Sequence, residues 1–430
     1  MKKLMLLAAT ALFSAPLTAQ PVAITGGKLV IGDGSAPIDN GVVVIDNGRV
    51  VAAGGPGTMI PAGATIIAAR GKWVTPGIVA SFSRIGLAEV DGSVDGANDT
   101  DAGGSPYSAA LDISWSVNPL ADPINVSRAD GVTRAIIAPD ASDRIFAGRG
   151  AVIDTGMDYE PITKARAFQM VELGERGTGL AGGSRSAAIL TFMEVLRAAR
   201  DGRLPEGPDA VQWTRADIDA LRPVVRGEEK LMVNVSRAAD ILNVLKLREE
   251  FPRLDLVLLG VAEGWRVAPQ IAAAGVPVIA DPLLNRPGSF EQLASTQSNI
   301  GRMRAAGVSV SAGVLYDFQN RAARNQRQFA GNLVALGRVP GHTGVSWDEA
   351  FAMISSRPAE AMGMAGEIGS LRTGRRADVV VWSGDPLELS SAAEQVWIDG
   401  VEQSLESRQT RLRDRYKNLD RGALPPAYTK

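Results

Sequence analysis

The middle of the chain repeats a single pattern. Val132 to Ala138, Leu231 to Val235, Leu256 to Leu259, Val276 to Ala280 and Val308 to Ala312 are short, continuously apolar runs, and helix-length segments separate most of them. A continuous apolar run of strand length fits a strand buried on both faces. Strands alternating with helices build a parallel sheet covered by those helices. Ser184 to Arg200 is the clearest helix, with Ser184 placed to cap it, Ile189, Phe192 and Val195 as apolar positions, and Asp201-Gly202 as its stop. Ala238 to Glu250, Trp265 to Ala274 and the short Ser355 to Met364 are further helices. About six such strands are legible, and two more cannot be placed between Gly150 and Pro223.

The two ends of the chain read differently. From Ala23 to Ala69 the pattern is β, with strands at Ile24 to Ile31, Val42 to Ile45, Arg49 to Ala52 and Ala64 to Ala68. Asn47-Gly48 between apolar alternating runs is a strong hairpin signal, because both residues tolerate positive φ. A sheet this small needs a partner. Its partner is expected far along the chain, at Ala377 to Trp382 and Gln395 to Ile398, so that both chain ends build one small β-sandwich beside a central domain.

The hand-over falls at Gly71 to Gly86, GKWVTPGIVASFSRIG. Val74-Thr75-Pro76-Gly77-Ile78, followed by the residues up to Gly86, resembles the first barrel strand of the amidohydrolase superfamily. Ile368 to Pro386 is similar to that family's closing motif, and the resemblance spans roughly Ile24 to Ser407. It implies an α/β fold, a TIM-like (β/α)8 barrel with a small β-sandwich built from both chain ends. The expected layout is a signal peptide over 1–19, sandwich over 20–75, barrel over 76–365, sandwich again over 366–404 and a charged tail over 405–430.

The resemblance also implies metal-ligating histidines at the barrel mouth. Phe82 and Arg84 stand where the family has its first two, and Ala80 where it has an Asp. The third falls on Asn234 or Ser236 depending on alignment, the fourth near Leu259-Gly260, and the final Asp on Gly313 or Val314, with Asp317 several residues late. No lysine of the carbamylated kind is found on a recognisable fourth strand. Chemistry sharpens the mismatch. Catalytic zinc takes about three His, carboxylate or thiolate ligands, whereas this chain has one His and no Cys. His342 lies in a polar loop, Pro340 to Gly344, and reads as loop packing rather than ligation. Arg84 cannot lose its proton and repels a cation. It and Phe82, two apart on one strand, face the same side, so a carboxylate from another strand end is expected to meet Arg84, Glu263 or Asp281 first and Asp317 behind them.

Other constellations are weaker. Asp91 to Asp101 has acid spacing loosely like a calcium loop but lacks the closing Glu. Asp140, Asp154, Glu263, Asp281 and Asp317 lie near expected strand ends and include the carboxylates an acid–base pair would need. Gly182-Gly183-Ser184-Arg185 reads first as a capped helix start and second as an anion site. The candidate pocket residues are therefore Phe82, Arg84, Asn234, Ser236, Glu263, Asp281 and Asp317, with no catalytic residue, metal ligand or cofactor assigned. Two functions fit. One is a pseudoenzyme that binds a small-molecule ligand or pairs with an active amidohydrolase relative; the other is a metal-free hydrolase with a carboxylate pair.

Lys2 and Lys3, the apolar run Leu4 to Phe13 and the small residues up to Ala19 have the order of a secretory signal peptide, so a periplasmic or secreted protein is expected. Export without cysteine means without disulfides. A formal net charge of -2 with both signs scattered gives no footprint for nucleic acid, and no later stretch reaches membrane-spanning length.

Overall fold

Asn47 and Gly48 take φ values of 46° and 75°, which lets the chain reverse between two strands in two residues. The computed structural model describes residues 20–89, 98–205, 212–315 and 322–417. The segment 1–19, most of the acidic loop after Asp91, Asp317 and the last residues of the tail lie outside them. The N-terminal strands are β1 (Val22–Leu29), β2 (Ile38–Asp46), β3 (Arg49–Gly54), β4 (Thr65–Ala68) and β5 (Trp73–Pro76). The barrel strands are β6 (Ile78–Ser83), β7 (Val132–Ile137), β8 (Phe146–Asp154), β9 (Ile162–Glu172), β10 (Lys230–Val235), β11 (Leu256–Gly260), β12 (Val278–Ala280) and β13 (Val310–Ala312). The chain returns through β14 (Val379–Trp382), β15 (Ala393–Ile398) and β16 (Val401–Glu402).

Both ends of the chain share one sheet, in the order β16-β15-β14-β5-β1-β2-β3, with β4 on β1. Its centre is the antiparallel pair β5 and β14, Trp73 opposite Trp382 and Pro76 opposite Val379. Only Gly77 separates β5 from β6, so the GKWVTPGIVASFSRIG stretch is the last strand of this sheet before the barrel and the first barrel strand, and the expected two-layered sandwich is a single sheet. The second sheet runs β13 back to β6 without interruption and curls into a nearly closed barrel. Alternation divides its residues. Val79, Ile136, Val152, Phe168, Met232, Val257 and Ile279 pack inside, over Ala359, Met362 and Met364. Ile78, Ala135, Ile153, Val171, Leu231, Leu258 and Val278 face the helices.

The two strands missing from the sequence reading are β8 and β9, and they correct the all-parallel expectation. β8 runs antiparallel to both β7 and β9. The connections on either side of β8, residues 138–145 and 155–161, are shorter than the dozen or so residues a parallel crossover needs, so the chain can only meander. The other barrel pairings are parallel. The helix expected from Trp265 begins only at Ala268, after a 3-10 turn at Gly264–Arg266, because Pro269 must sit in the first helical turn. No described helix is long and apolar enough to cross a membrane.

Below the barrel a buried arginine ties the two sheets. Arg134 on β7 donates Nε and Nη2 to Asp378 at 2.7 and 2.9 Å, lies 2.8 Å from Asp399 and 3.4 Å from Asp154. Asp378 and Asp399 belong to the returning C-terminal segment. Asp154, expected near the mouth, is here because β8 is reversed and delivers its last residue to the opposite end. Burial raises its carboxyl to about 6 against the pull of Arg134.

Candidate active site at the barrel mouth

The carboxyl ends of the parallel strands surround a cavity of about 880 Å³. Phe82, Met170, Leu259, Leu284 and Leu315 give it apolar walls, and its many polar lining residues include Arg84, Asp140, Glu172, Arg176 and Asn234 at or just after strand ends and Arg286 and Glu291 from the loops. Phe82 ends β6 inside the barrel, and the Arg84 guanidinium lies 5.6 Å from its ring centroid.

Arg84 meets a carboxylate, but it is Asp140. The Nη2 to Oδ1 distance is 3.3 Å, and Arg176 Nη1 donates to the same oxygen at 2.5 Å. The expected partners are committed elsewhere. Glu263 accepts from the backbone N–H groups of Ala238 and Ala294, both at 3.1 Å, and Asp281 accepts from Leu283 N–H at 2.8 Å. Asp140 has the advantage of adjacency, since β7 is the strand beside β6. Arg176 also reaches the carbonyl of Ala141, and its helix starts directly after β9.

Glu172, the last residue of β9, is buried, and Asn234 at the end of β10 donates Nδ2 to its Oε2 at 2.9 Å. Strand register places these two side by side, Asn234 opposite Glu172. Burial pushes the Glu172 carboxyl up to about 7; Arg176 and the Asn234 hydrogen bond pull it down, and Asp140 adds to the rise. Gly260 makes room for the pair. Its φ is +88°, and a Cβ there would stand 2.8 Å from Asn234 Oδ1 and 3.2 Å from Ser236 Oγ.

A family model described as the amidohydrolase family matches residues 208–402. The protein named Amidohydrolase tasK from Hapsidospora irregularis is 24% identical over 399 residues, covering 81% of this chain and 38% of that one. This chain therefore spans well under half the length of that curated relative. The architecture matches an amidohydrolase from Thermotoga maritima MSB8 at a TM-score of 0.77 and 24% identity, covering 89% of this chain and 99% of that chain. The match over residues 208–402 and the curated relative support membership of the amidohydrolase superfamily, and the likeness to the Thermotoga structure shows the fold. A more distant likeness, to an adenosine deaminase from Xanthomonas campestris with bound zinc, has a TM-score of 0.52 at 15% identity over 92% of this chain and 98% of that one, and bears on the fold alone.

The residues expected at the site fall in different places. Phe82, Arg84 and Asn234 line the cavity. Ser236 is buried beneath it, with its carbonyl accepting from Glu263 N–H. Glu263 and Asp281 organise the loops around it without lining it, and Asp317 lies outside the described residues. Ser184 caps its helix through Ala187 N–H, and the neighbouring Arg185 pairs with Asp240 at 2.8 Å, so the Gly182-Gly183-Ser184-Arg185 stretch is a helix start. His342 is exposed in its loop. Among the described residues no three His, Cys, Asp or Glu side chains are grouped so as to share an ion. The sequence reading did not single out Glu172 and Arg176. Their signal was the acid that ends an unrecognised strand, and without that strand neither could be assigned to the mouth.

Proposed function

We propose that this member of the amidohydrolase superfamily binds a small organic molecule at its barrel mouth and does not work through a catalytic transition metal. The observation that carries the reading is the pair of guanidiniums, Arg84 and Arg176, sharing one oxygen of Asp140. The donors at the mouth do not fit such a metal. Phe82 and Arg84 stand where the resemblance asks for histidines and Asn234 where it asks for another; of the carboxylates lining the cavity, Glu172 is engaged with Asn234, Asp140 with Arg84 and Arg176, and Glu291 with Glu175 N–H, and none is grouped with two others so as to share an ion among the described residues. What remains is a cavity with apolar walls and convergent polar groups, the usual form of a small-molecule site.

Elemental analysis of protein purified without chelator is expected to give no stoichiometric zinc, iron, manganese or nickel. About one such metal per chain overturns the reading. A thermal-shift screen of small amides, amines and carboxylates should then yield ligands whose stabilisation is weakened by Arg84→Ala.

A second reading is favoured by one observation, the Glu172 carboxyl held at about 7. A general base works best with its pKa near the operating pH, so Glu172, with Asp140 nearby, supplies the elements of metal-free hydrolysis of a C–N bond. Turnover of an amide that persists in chelator and disappears in Glu172→Gln would favour it over simple binding.

We also propose that the protein is exported, on the order of charge, apolar run and small residues in Met1 to Gln20. N-terminal sequencing of periplasmic material should begin near Gln20; a chain there beginning at Met1 refutes export.

A further inference from the structure

In a closed barrel the last strand pairs with the first. Here, among the described residues, β6 and β13 share no backbone ladder, and the sheet path ends at each of them. The seam is filled by other groups. Lower in the barrel, Ala312 N–H donates to Met353 O at 3.1 Å and Val79 N–H to Ile354 O at 2.9 Å, so one short stretch of chain serves both edges. Nearer the mouth the filler is a side chain. Gln326 is 1% exposed; its Nε2 donates to Val79 O at 3.1 Å and to Ser81 Oγ at 3.0 Å, and its Oε1 accepts from Ser81 N–H at 3.2 Å. Ser81 Oγ in turn donates to Ala312 O at 2.8 Å, which completes the link across to β13.

The pattern of these bonds is informative. In a parallel ladder, one residue of a strand donates to the carbonyl before, and accepts from the N–H after, a single position on its neighbour. Val79 O and Ser81 N–H flank Ala80 in that way. The primary amide of Gln326 thus performs for β6 what a peptide group of an adjoining strand would perform. The position matters because the next residue is Phe82 and Arg84 follows two later, while on the other side of the seam Leu315 follows β13. All three line the mouth cavity.

We propose that Gln326 is a positioning residue for the barrel-mouth site: its side-chain amide replaces the strand pairing missing at the seam, and so fixes β6 such that Phe82 and Arg84 keep their places on the cavity wall. Its importance for function rests on the reading of the mouth as a ligand site, but the positioning itself is measured without a ligand, so the two can fail separately.

The test compares Gln326→Met, which keeps the volume and removes the amide, with Gln326→Glu at pH 5. A buried carboxyl is protonated there and can donate to Val79 O while accepting from Ser81 N–H. Amide exchange at Ser81 is expected to rise at least tenfold in Gln326→Met and to stay within about threefold of the unaltered protein in Gln326→Glu, with Leu231 to Val235 on β10 unchanged in both. The NMR signal of Arg84 Nε–H, assigned by its loss in Arg84→Lys, should move in Gln326→Met and return in Gln326→Glu. Should Gln326→Met not fold, Ser81→Ala removes two of the same links and is expected to raise exchange at position 81 in the same way. Unchanged exchange at Ser81, a rise shared equally by β10, or an Arg84 signal indifferent to the amide would each overturn the proposal.

Discussion

Replacing Glu172 by Gln removes the titration of the buried carboxyl at the mouth while keeping its shape and an oxygen for Asn234 Nδ2 to donate to, now 2.9 Å away. The folded-state value of about 7 stands above the ordinary value of 4.5, with burial as the main cause. The folded protein therefore holds this proton more tightly than the unfolded chain does. The stabilisation from the neutral form is fully present below about pH 4.5 and is lost as the pH rises through about 7. At roughly 1.4 kcal/mol per unit, the separation corresponds to about 3 kcal/mol at pH 8. Glutamine cannot ionise, so Glu172→Gln should match the parent near pH 4.5 and exceed it by about that amount at pH 8. With an unfolding entropy of about 2 cal/mol/K per residue, that is a rise in melting midpoint of about 4 °C. The assay is a pair of melts or denaturant titrations of both proteins at the two pH values. An equal offset at both, or no gain at pH 8, refutes the account of Glu172 as a carboxylate ionised against its surroundings.

Arg84→Ala leaves Asp140 still paired with Arg176, so it should cost only about 1 kcal/mol rather than the roughly 3 kcal/mol expected of a stranded carboxylate; Arg84→Ala with Arg176→Ala should exceed the sum of the two single changes. A double-mutant cycle by denaturant unfolding checks this, and strict additivity would mean that the two guanidiniums do not share one partner. Arg134→Ala strands Asp378 and Asp154, with Asp378 almost wholly buried, while Asp399 keeps Arg376 at 3.0 Å, and should destabilise by about 3–5 kcal/mol. Adding Asp378→Asn should recover part of that loss in the same measurement, and no recovery would count against charge as the cause.

The chain ends were legible because their signals are local. Asn47-Gly48 makes its turn from its own backbone preferences, and Ala377 to Trp382 is a strand flanked by turn residues wherever its partner lies. The parallel strands β10 to β13 were legible for a related reason, since burial on both faces leaves a continuous apolar run. β8 and β9 have neither mark. β8 reads FAGRGAVID, where Gly150 is required because a Cβ would lie 2.1 Å from the Phe168 ring, and Arg149 is accommodated by donating to Ala220 O at 2.7 Å beside Glu229. β9 begins with Ile162-Thr163-Lys164-Ala165-Arg166 before its apolar half. Each departure from strand-like composition is compensated by a tertiary contact, and a tertiary contact between distant segments is not a property of either segment.

The one misread direction accounts for Asp154 and Glu172, whereas Glu263 and Asp281 were misassigned because loop backbone N–H groups take their carboxylates. Walking strand ends for ligands assumes that every strand delivers its carboxyl end to the mouth. Reversing β8 sends Asp154 to the underside, where it joins Arg134 and the returning C-terminal segment, and it lets β9 bring Glu172 up beside Asn234. The mouth that results has two guanidiniums, Arg84 and Arg176, on Asp140, and a buried carboxyl, Glu172, paired with an amide. Arg84 and Arg176 lower the pKa of Glu172, yet burial outweighs both, and the carboxyl remains poised near neutrality. A divalent metal in the same place would hold a carboxylate ionised through neutral pH. The pH dependence of Glu172 therefore separates a mouth neutralised by arginine from one built around a metal, whichever ligand it receives.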